Sequence, residues 1–321
     1  MIKMVGYFLL LIIISCSKGS GDNTPITPNN PPPNNPPPSP SLNRVVYVHP
    51  NPDGGIFSEK EDGKNDIKLL STNGADSIAY ANWSSDQRIY FTGKLEGDSH
   101  LQLYSMKSDG TDLILISHNA DIEYSQLHVS HGNRLLYRKT FTDGSNPPGI
   151  YYSKADGSDE IKIMDVEGIT VSSFSWVPGQ DRIIYVGIEP VSAGGDPVSN
   201  MYLIYSDGTG KSILTSNENP LKRYDHVYFC PDGSRIAYVA SEDTTAKGYS
   251  VFVANQSSSG EYEILSSPSK ATSYSTGNWS ANIEWILVTD NNGKLYIVTT
   301  DGSNKQSMNS VSALHPKFKD F

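Results

Sequence analysis

The chain has 321 residues and a formal net charge of −10, with 37% hydrophobic residues, 10% aromatic residues and 19 tyrosines. That is enough apolar material for one folded domain, and the acidic balance argues against nucleic acid or an anionic membrane surface as the main partner. Two cysteines, Cys16 and Cys230, exclude a disulfide framework.

In chain order, the first element is MIKMVGYFLLLIIISC, with an apolar run from Val5 to Ile14 that ends on Ser15-Cys16. The run is short for a permanent membrane span and fits the apolar region of an export signal. A small residue followed by cysteine at this point resembles the bacterial lipobox. That resemblance implies a signal peptide over 1–15, lipidation of Cys16, and membrane attachment through that lipid alone. Several acyl chains on one cysteine hold a protein stably on a membrane. Ser17 after Cys16, with no aspartate there, is compatible with sorting to the bacterial outer membrane, on its periplasmic face or at the cell surface.

Residues 16–41 are rich in proline, asparagine and serine. Such a stretch cannot bury a core and favours extended polyproline II, so it reads as a tether.

From Leu42 onward the chain repeats. Asp-Gly pairs begin at Asp62, Asp109, Asp156, Asp207 and Asp301; the first three intervals are 47, 47 and 51 residues, and the last is 94. One copy is therefore missing near position 254, where Asn255 and Gly260 bracket a longer polar turn. Each unit holds four short runs rich in Val, Ile, Leu and Tyr, bounded by turn residues, and these are predicted strands. The Asp-Gly pair between the third and fourth runs is a hairpin turn, because glycine tolerates φ > 0. The first run ends on a bulky ring: Trp83, His128, Trp176, Phe229 and Trp279. Arginine opens the second run at Arg44, Arg88, Arg134, Arg182 and Arg235, with Glu284 in the sixth unit. The unit starting at Arg44 lacks its first run. HPKFKDF, with Phe318 in the ring position, is a first run without the strand that should follow. The two complete each other, which predicts a ring of six four-stranded blades over 42–321 fastened by the C-terminal strand. The fold class is all-β.

FCPDGSRIAYV (229–239) and LYSMKSDGTDLILIS (103–117) are the clearest copies of the pattern, and the repeat resembles that of TolB-type propellers. The resemblance extends over nearly all of 42–321. It implies a six-bladed propeller; the lack of a catalytic constellation in the sequence favours a non-catalytic role in binding an envelope protein or a glycan. TolB's additional N-terminal domain is replaced here by the proline-rich tether, so its partners do not transfer automatically.

Propellers also cap serine peptidases, but the G-x-S-x-G elbow those need is absent. GTGKS (208–212) lacks the first glycine of a phosphate loop, since Tyr205 stands in its place. No histidine pair has helical zinc spacing. Neither catalytic residues, nor a metal site, nor a cofactor is assigned. The turn aspartates, one per unit, make turns and do not form a calcium site. The five arginines are expected to bind turn backbone or carboxylates between blades.

A recognition surface is expected at the mouth of the central channel, on the side with the long loops 139–149 and 187–200. Its candidate residues are Tyr80, Tyr124, Asp225, His226, Tyr274 and His315. Tyrosine offers large contact area at low entropy cost. The alternative is a funnel enzyme, such as a metal-dependent polysaccharide lyase, using His226 and His315 with carboxylates such as Asp225 and Glu123.

Overall fold

The computed structural model describes residues 44–50, 54–73, 76–117, 119–189, 198–215, 222–242, 248–269, 271–308 and 312–319. The expected signal peptide, Cys16 and the expected tether lie outside these residues. Among the described residues no helix is long and apolar enough to cross a membrane.

Among the described residues, twenty-four strands form six antiparallel four-stranded sheets. Blade 1 holds β1 (Arg44–His49), β2 (Gly55–Lys60) and β3 (Ile67–Ser71). Blade 2 holds β4 (Ser77–Trp83), β5 (Arg88–Lys94), β6 (Gln102–Lys107) and β7 (Ile114–Leu115). Blade 3 holds β8 (Ile122–Val129), β9 (Leu135–Phe141), β10 (Gly149–Ser153) and β11 (Ile161–Asp165). Blade 4 holds β12 (Thr170–Trp176), β13 (Arg182–Glu189), β14 (Val198–Tyr205) and β15 (Ser212–Ile213). Blade 5 holds β16 (Arg223–Phe229), β17 (Arg235–Ser241), β18 (Ser250–Asn255) and β19 (Tyr262–Leu265). Blade 6 holds β20 (Tyr274–Trp279), β21 (Trp285–Asp290), β22 (Leu295–Thr299) and β23 (Lys305–Ser307). The last strand, β24 (Leu314–Phe318), joins blade 1, whose order is β24-β1-β2-β3. It pairs Phe318 with Val45, Lys317 with Val46 and Leu314 with Val48. The expected closure is thus present.

The blades bury their faces against one another. Phe318, 1% exposed, packs between blades 6 and 1 with Val45, Tyr47, Trp285 and Leu287. The six innermost strands touch in sequence and close a ring around a channel. Asn82 Nδ2 donates to Leu127 O at 3.0 Å, Ser175 Oγ to Val227 O at 3.3 Å, and Asn278 Nδ2 to Phe318 O at 3.3 Å. At the closing seam the β20 backbone runs so near β24 that a Cβ on Gly277 would lie 2.5 Å from Pro316 O. Only glycine allows that approach.

Four of the five Asp-Gly turns are three-residue loops, a type I turn followed by glycine in the left-handed region, and the turn at Asp301 is one residue longer, with Thr299 N donating to Asn304 O at 2.9 Å. In blade 2, Gly110 (φ 86°) donates to Lys107 O, and Lys107 N donates to Thr111 O. Asp109 Oδ1 accepts from Thr111 N at 2.9 Å and Thr111 Oγ1 at 2.6 Å. Asp156, Asp207 and Asp301 do the same. The drifted fifth copy closes through Asn255 N donating to Ser259 O at 2.9 Å. Two of the arginines reach the next blade as expected: Arg134 Nη1 lies 2.8 Å from Asp181, and Arg235 Nη2 donates to Ile283 O at 3.4 Å. Two stay within their own blade: Arg88 Nη1 lies 2.8 Å from Asp112, and Arg182 Nη2 donates to Ser212 Oγ at 3.4 Å.

Register corrects two assignments. Val129 pairs with Leu135 as Trp83 pairs with Ile89 and Trp176 with Ile183, so Val129, not His128, stands at the ring position of blade 3. In blade 6, Ser280 N donates to Trp285 O as Ser84 N donates to Arg88 O, so Trp285 and not Glu284 takes the arginine position. Both shifts arise because the turns after the inner strands differ in length by one residue.

Candidate functional site

Each innermost strand of blades 2–6 has a bulge. Register slips between Ile78 and Tyr80, Ser125 and His128, Val171 and Ser173, Asp225 and Val227, and Thr276 and Trp279. In blade 1, β24 slips opposite Val46 and Val48. Gln126 (φ 53°), His226 (φ 42°) and His315 (φ 47°) sit at three of these bulges in the left-handed region. Bulges re-aim side chains, and two of these three positions are candidate site residues.

Four of the six candidates belong to one cluster in the channel. The ring of His315 stacks on Tyr80, centroids 4.0 Å apart and planes 26° apart. Asp225 Oδ2 lies 3.2 Å from His226 Nδ1, and Asp225 Oδ1 accepts from His226 N at 2.8 Å. Burial, then the charges of His226 and Lys317, push His315 down to about 3. Burial raises the Asp225 carboxyl, but His226 and Ser172 outweigh it and hold the carboxyl below its ordinary value. Burial and then Asp225 raise the Tyr80 phenol.

Three further residues complete the cluster. Lys317 is 4% exposed, with Nζ 3.6 Å from the centre of the Tyr228 ring. His128 stacks against Tyr228 at 6.2 Å, and burial, Lys317 and His131 hold it well below its ordinary value. His128, Tyr228 and Lys317 share one place in the repeat, immediately before the ring position, with Asn82, Ser175 and Asn278. That column was readable once the register was known.

Tyr124 and Tyr274 are not at the mouth. Tyr124 is 6% exposed and packs edge-on to Tyr137 among the side chains between blades 2 and 3. Tyr274 is buried between blades 5 and 6, with Lys305 Nζ 5.1 Å from its ring centre. Their strand phase turns them toward neighbouring blades. Glu123 faces His100, with Oε2 3.9 Å from Nδ1.

A recess opens at the other end of the channel, beside the turns that join each innermost strand to the next. It has a volume of about 380 Å³ and lies between blades 3, 4, 5 and 6. His128, Ser175, Tyr228 and Asn278 belong to its wall, together with Trp176, Phe229 and Trp279. The Arg134 guanidinium covers the Trp176 ring at 3.9 Å.

Fold and channel define the class: a closed six-bladed β-propeller of TolB-like fold. Among solved structures, TolB from Acinetobacter baumannii aligns with a TM-score of 0.67 at 17% identity, covering 86% of this chain and 66% of that one. A chain from a nidogen–laminin complex aligns at 0.63 and 12% identity, covering 86% of this chain and 98% of that one. An oligogalacturonate lyase from Vibrio parahaemolyticus aligns at 0.54 and 12% identity, covering 82% and 78%. No family model matches the sequence, and no curated protein matches it. Another oligogalacturonate lyase of this fold was solved in complex with manganese. Among the described residues here, no three His, Cys, Asp or Glu side chains converge to hold a metal ion.

Proposed function

We propose that this protein is a lipid-anchored propeller of the bacterial outer membrane that binds an envelope protein or glycan without chemistry. The observation that carries the reading is the state of the channel. His315 stacks on Tyr80, Asp225 is engaged by His226, and Lys317 lies over Tyr228. These reactive side chains are committed to each other. A general acid or base needs a side chain within reach of a substrate proton and a pKa near the working pH, and a His315 near 3 is far from that range. Lipidation of Cys16 and the tether supply attachment. The likeness to TolB supports the reading at the level of fold alone.

The second reading, a metal-dependent polysaccharide lyase, draws on His226 and His315 and on the likeness to oligogalacturonate lyase. The two part in one comparison. The anchored full chain is used to capture partners from an envelope fraction, identified by mass spectrometry, and the same chain is offered a polysaccharide panel. Recognition predicts a partner lost on trimming the loop at 143–147 or changing the channel ends, and a panel left intact. Chelator-sensitive depolymerisation would overturn it.

A further inference from the structure

The hairpin turn between β21 and β22 touches the segment that closes the ring. Its tip reads Asp290-Asn291-Asn292-Gly293-Lys294. Asp290 holds the tip together. Its N–H donates to Lys294 O at 3.0 Å, its carbonyl accepts from Gly293 N at 2.9 Å, and Oδ1 accepts from Asn292 N at 2.9 Å and Lys294 N at 3.0 Å. The tip is also stitched on two sides. Asn291 N donates to Ser273 O and Asn291 Nδ2 to Ala271 O, both at 2.9 Å, on the segment entering β20. Gly293 O accepts from Ala313 N at 2.7 Å, on the segment entering β24. Gly293 (φ 76°) runs so close to that segment that a Cβ would fall 2.5 Å from Ser312 Cα.

Asn292 stands between the two stitches. It is exposed, and its side-chain amide has no hydrogen-bond partner among the described residues. Before glycine, an asparagine side chain can reach the next backbone nitrogen, because no Cβ shields it. The Asp-Gly turns resist the same attack. Hydrogen bonds from Thr111, Ser158, Thr209 and, at Asp301, Thr299 and then Ser303 hold the carboxyls of Asp109, Asp156, Asp207 and Asp301 below their ordinary value. Those groups stay ionised, and a carboxylate is a poor electrophile. Asn292 is a neutral amide. The chain's other Asn-Gly pair, Asn73-Gly74, extends outside the described residues.

We propose that Asn292 is a site of spontaneous deamidation whose isoaspartyl product releases the closing strand. Opening of the exposed tip frees Gly293 N–H from Asp290 O. The Gly293 nitrogen gives its proton to solvent base and attacks Asn292 Cγ. The N–Cγ bond forms, the Cγ–Nδ2 bond breaks, and the amide group takes a proton from water and leaves as ammonia. Water then opens the succinimide. Opening at Cγ gives aspartate; opening at the main-chain carbonyl carbon gives isoaspartate, with the chain running through Cγ. That product has one more main-chain atom between the stitches at Asn291 and Gly293, so Gly293 O moves off Ala313 N. The strain falls on β24, whose Phe318 fills the seam between blades 6 and 1. The chemistry is independent of what the channel binds.

The test holds the full chain, its Asn292→Ser variant and the synthetic peptide Thr-Asp-Asn-Asn-Gly-Lys at mildly alkaline pH. Tandem mass spectrometry locates deamidation, and an isoaspartyl methyltransferase assay counts isoaspartate. Asn146 is the internal control: it is also exposed, but Pro147 follows it and has no N–H to attack. Asn292 is expected to deamidate at least tenfold more than Asn146. Limited proteolysis of the 312–319 segment is expected to run at least threefold faster in the aged chain than in the fresh one, and to be unchanged by ageing in Asn292→Ser. Fresh Asn292→Asp carries the charge without the extra main-chain atom and should match the fresh wild type. No deamidation at Asn292 in the time that converts the peptide would overturn the site. Conversion without faster cleavage of 312–319, the same loss in aged Asn292→Ser, or an equal loss in fresh Asn292→Asp would overturn its link to the closing strand.

Discussion

Phe318→Ala is the sharpest test of the closure. The Phe318 ring is 1% exposed and packs among Val45, Tyr47, Trp285 and Leu287, at the seam whose two sides come from opposite ends of the propeller sequence. Truncating a buried Phe to Ala costs about 3–5 kcal/mol through lost transfer energy and the cavity left behind. The backbone is untouched: Phe318 N still donates to Asn278 Oδ1, 2.6 Å away, and the pairing with Val45 persists. The loss is therefore a packing loss, set against a typical total of about 5–15 kcal/mol. Leu314 in the same strand is 40% exposed and serves as the control. Its change to alanine should cost about 0.5 kcal/mol or less. Equilibrium denaturation followed by tryptophan fluorescence measures both. A Phe318→Ala loss below about 1 kcal/mol, or one equal to that of Leu314→Ala, would show that this seam does not hold the ring. Deleting 312–321 removes the strand, its pairing and the Asn278 bonds together, and should leave a protease-sensitive product.

Three other outcomes follow from the same structure. Gly208 (φ 83°) would place a Cβ 2.5 Å from Ile163 O of the preceding blade, whereas Gly97 (φ 95°) has open space around it; Gly208→Ala should lower the melting temperature distinctly more than Gly97→Ala, and equal shifts would refute the turn-on-blade contact. His315 binds its proton near 6.5 when unfolded and only near about 3 when folded. The unfolded state thus takes up more protons in between, and stability should fall with falling pH by about 1.4 kcal/mol per unit for this group. His128 adds in the same direction, and Asp225, held below its ordinary value, contributes only at lower pH; denaturation midpoints between pH 6.5 and 4 should be flatter in His315→Asn, and an unchanged slope would contradict the burial argument. Cys16→Ala should release the protein from membranes and abolish labelling by a fatty-acid probe; a variant that still fractionates with membranes and carries label would refute the anchor.

The blades were legible because the repeat is carried by residues with backbone consequences. An Asp-Gly pair between apolar runs makes a turn, and a bulky residue recurring in phase, an aromatic ring in five blades and Val129 in blade 3, marks one strand. Phe318 could be placed in blade 1 because that blade lacked an inner strand. The site was less legible, because single-residue differences in turn length move side chains to the opposite face. His128 was one residue from its place for that reason, and it lines the recess instead of filling a core. Tyr124 and Tyr274 share a strand type with Asp225 but a different phase, so they pack between blades. Tyr228 and Lys317 carried no motif at all; their meeting across the channel depends on ring closure, which brings β16 and β24 to one axis. The recess itself arises from the assembled ends of four blades and has no local signature.

The central claim is that the channel recognises and does not react. The most direct measurement is turnover by the purified full chain on a broad panel of neutral and acidic polysaccharides, with and without a chelator. The account predicts no depolymerisation in either condition, and none for His226→Ala. Depolymerisation that the chelator or His226→Ala stops would contradict it.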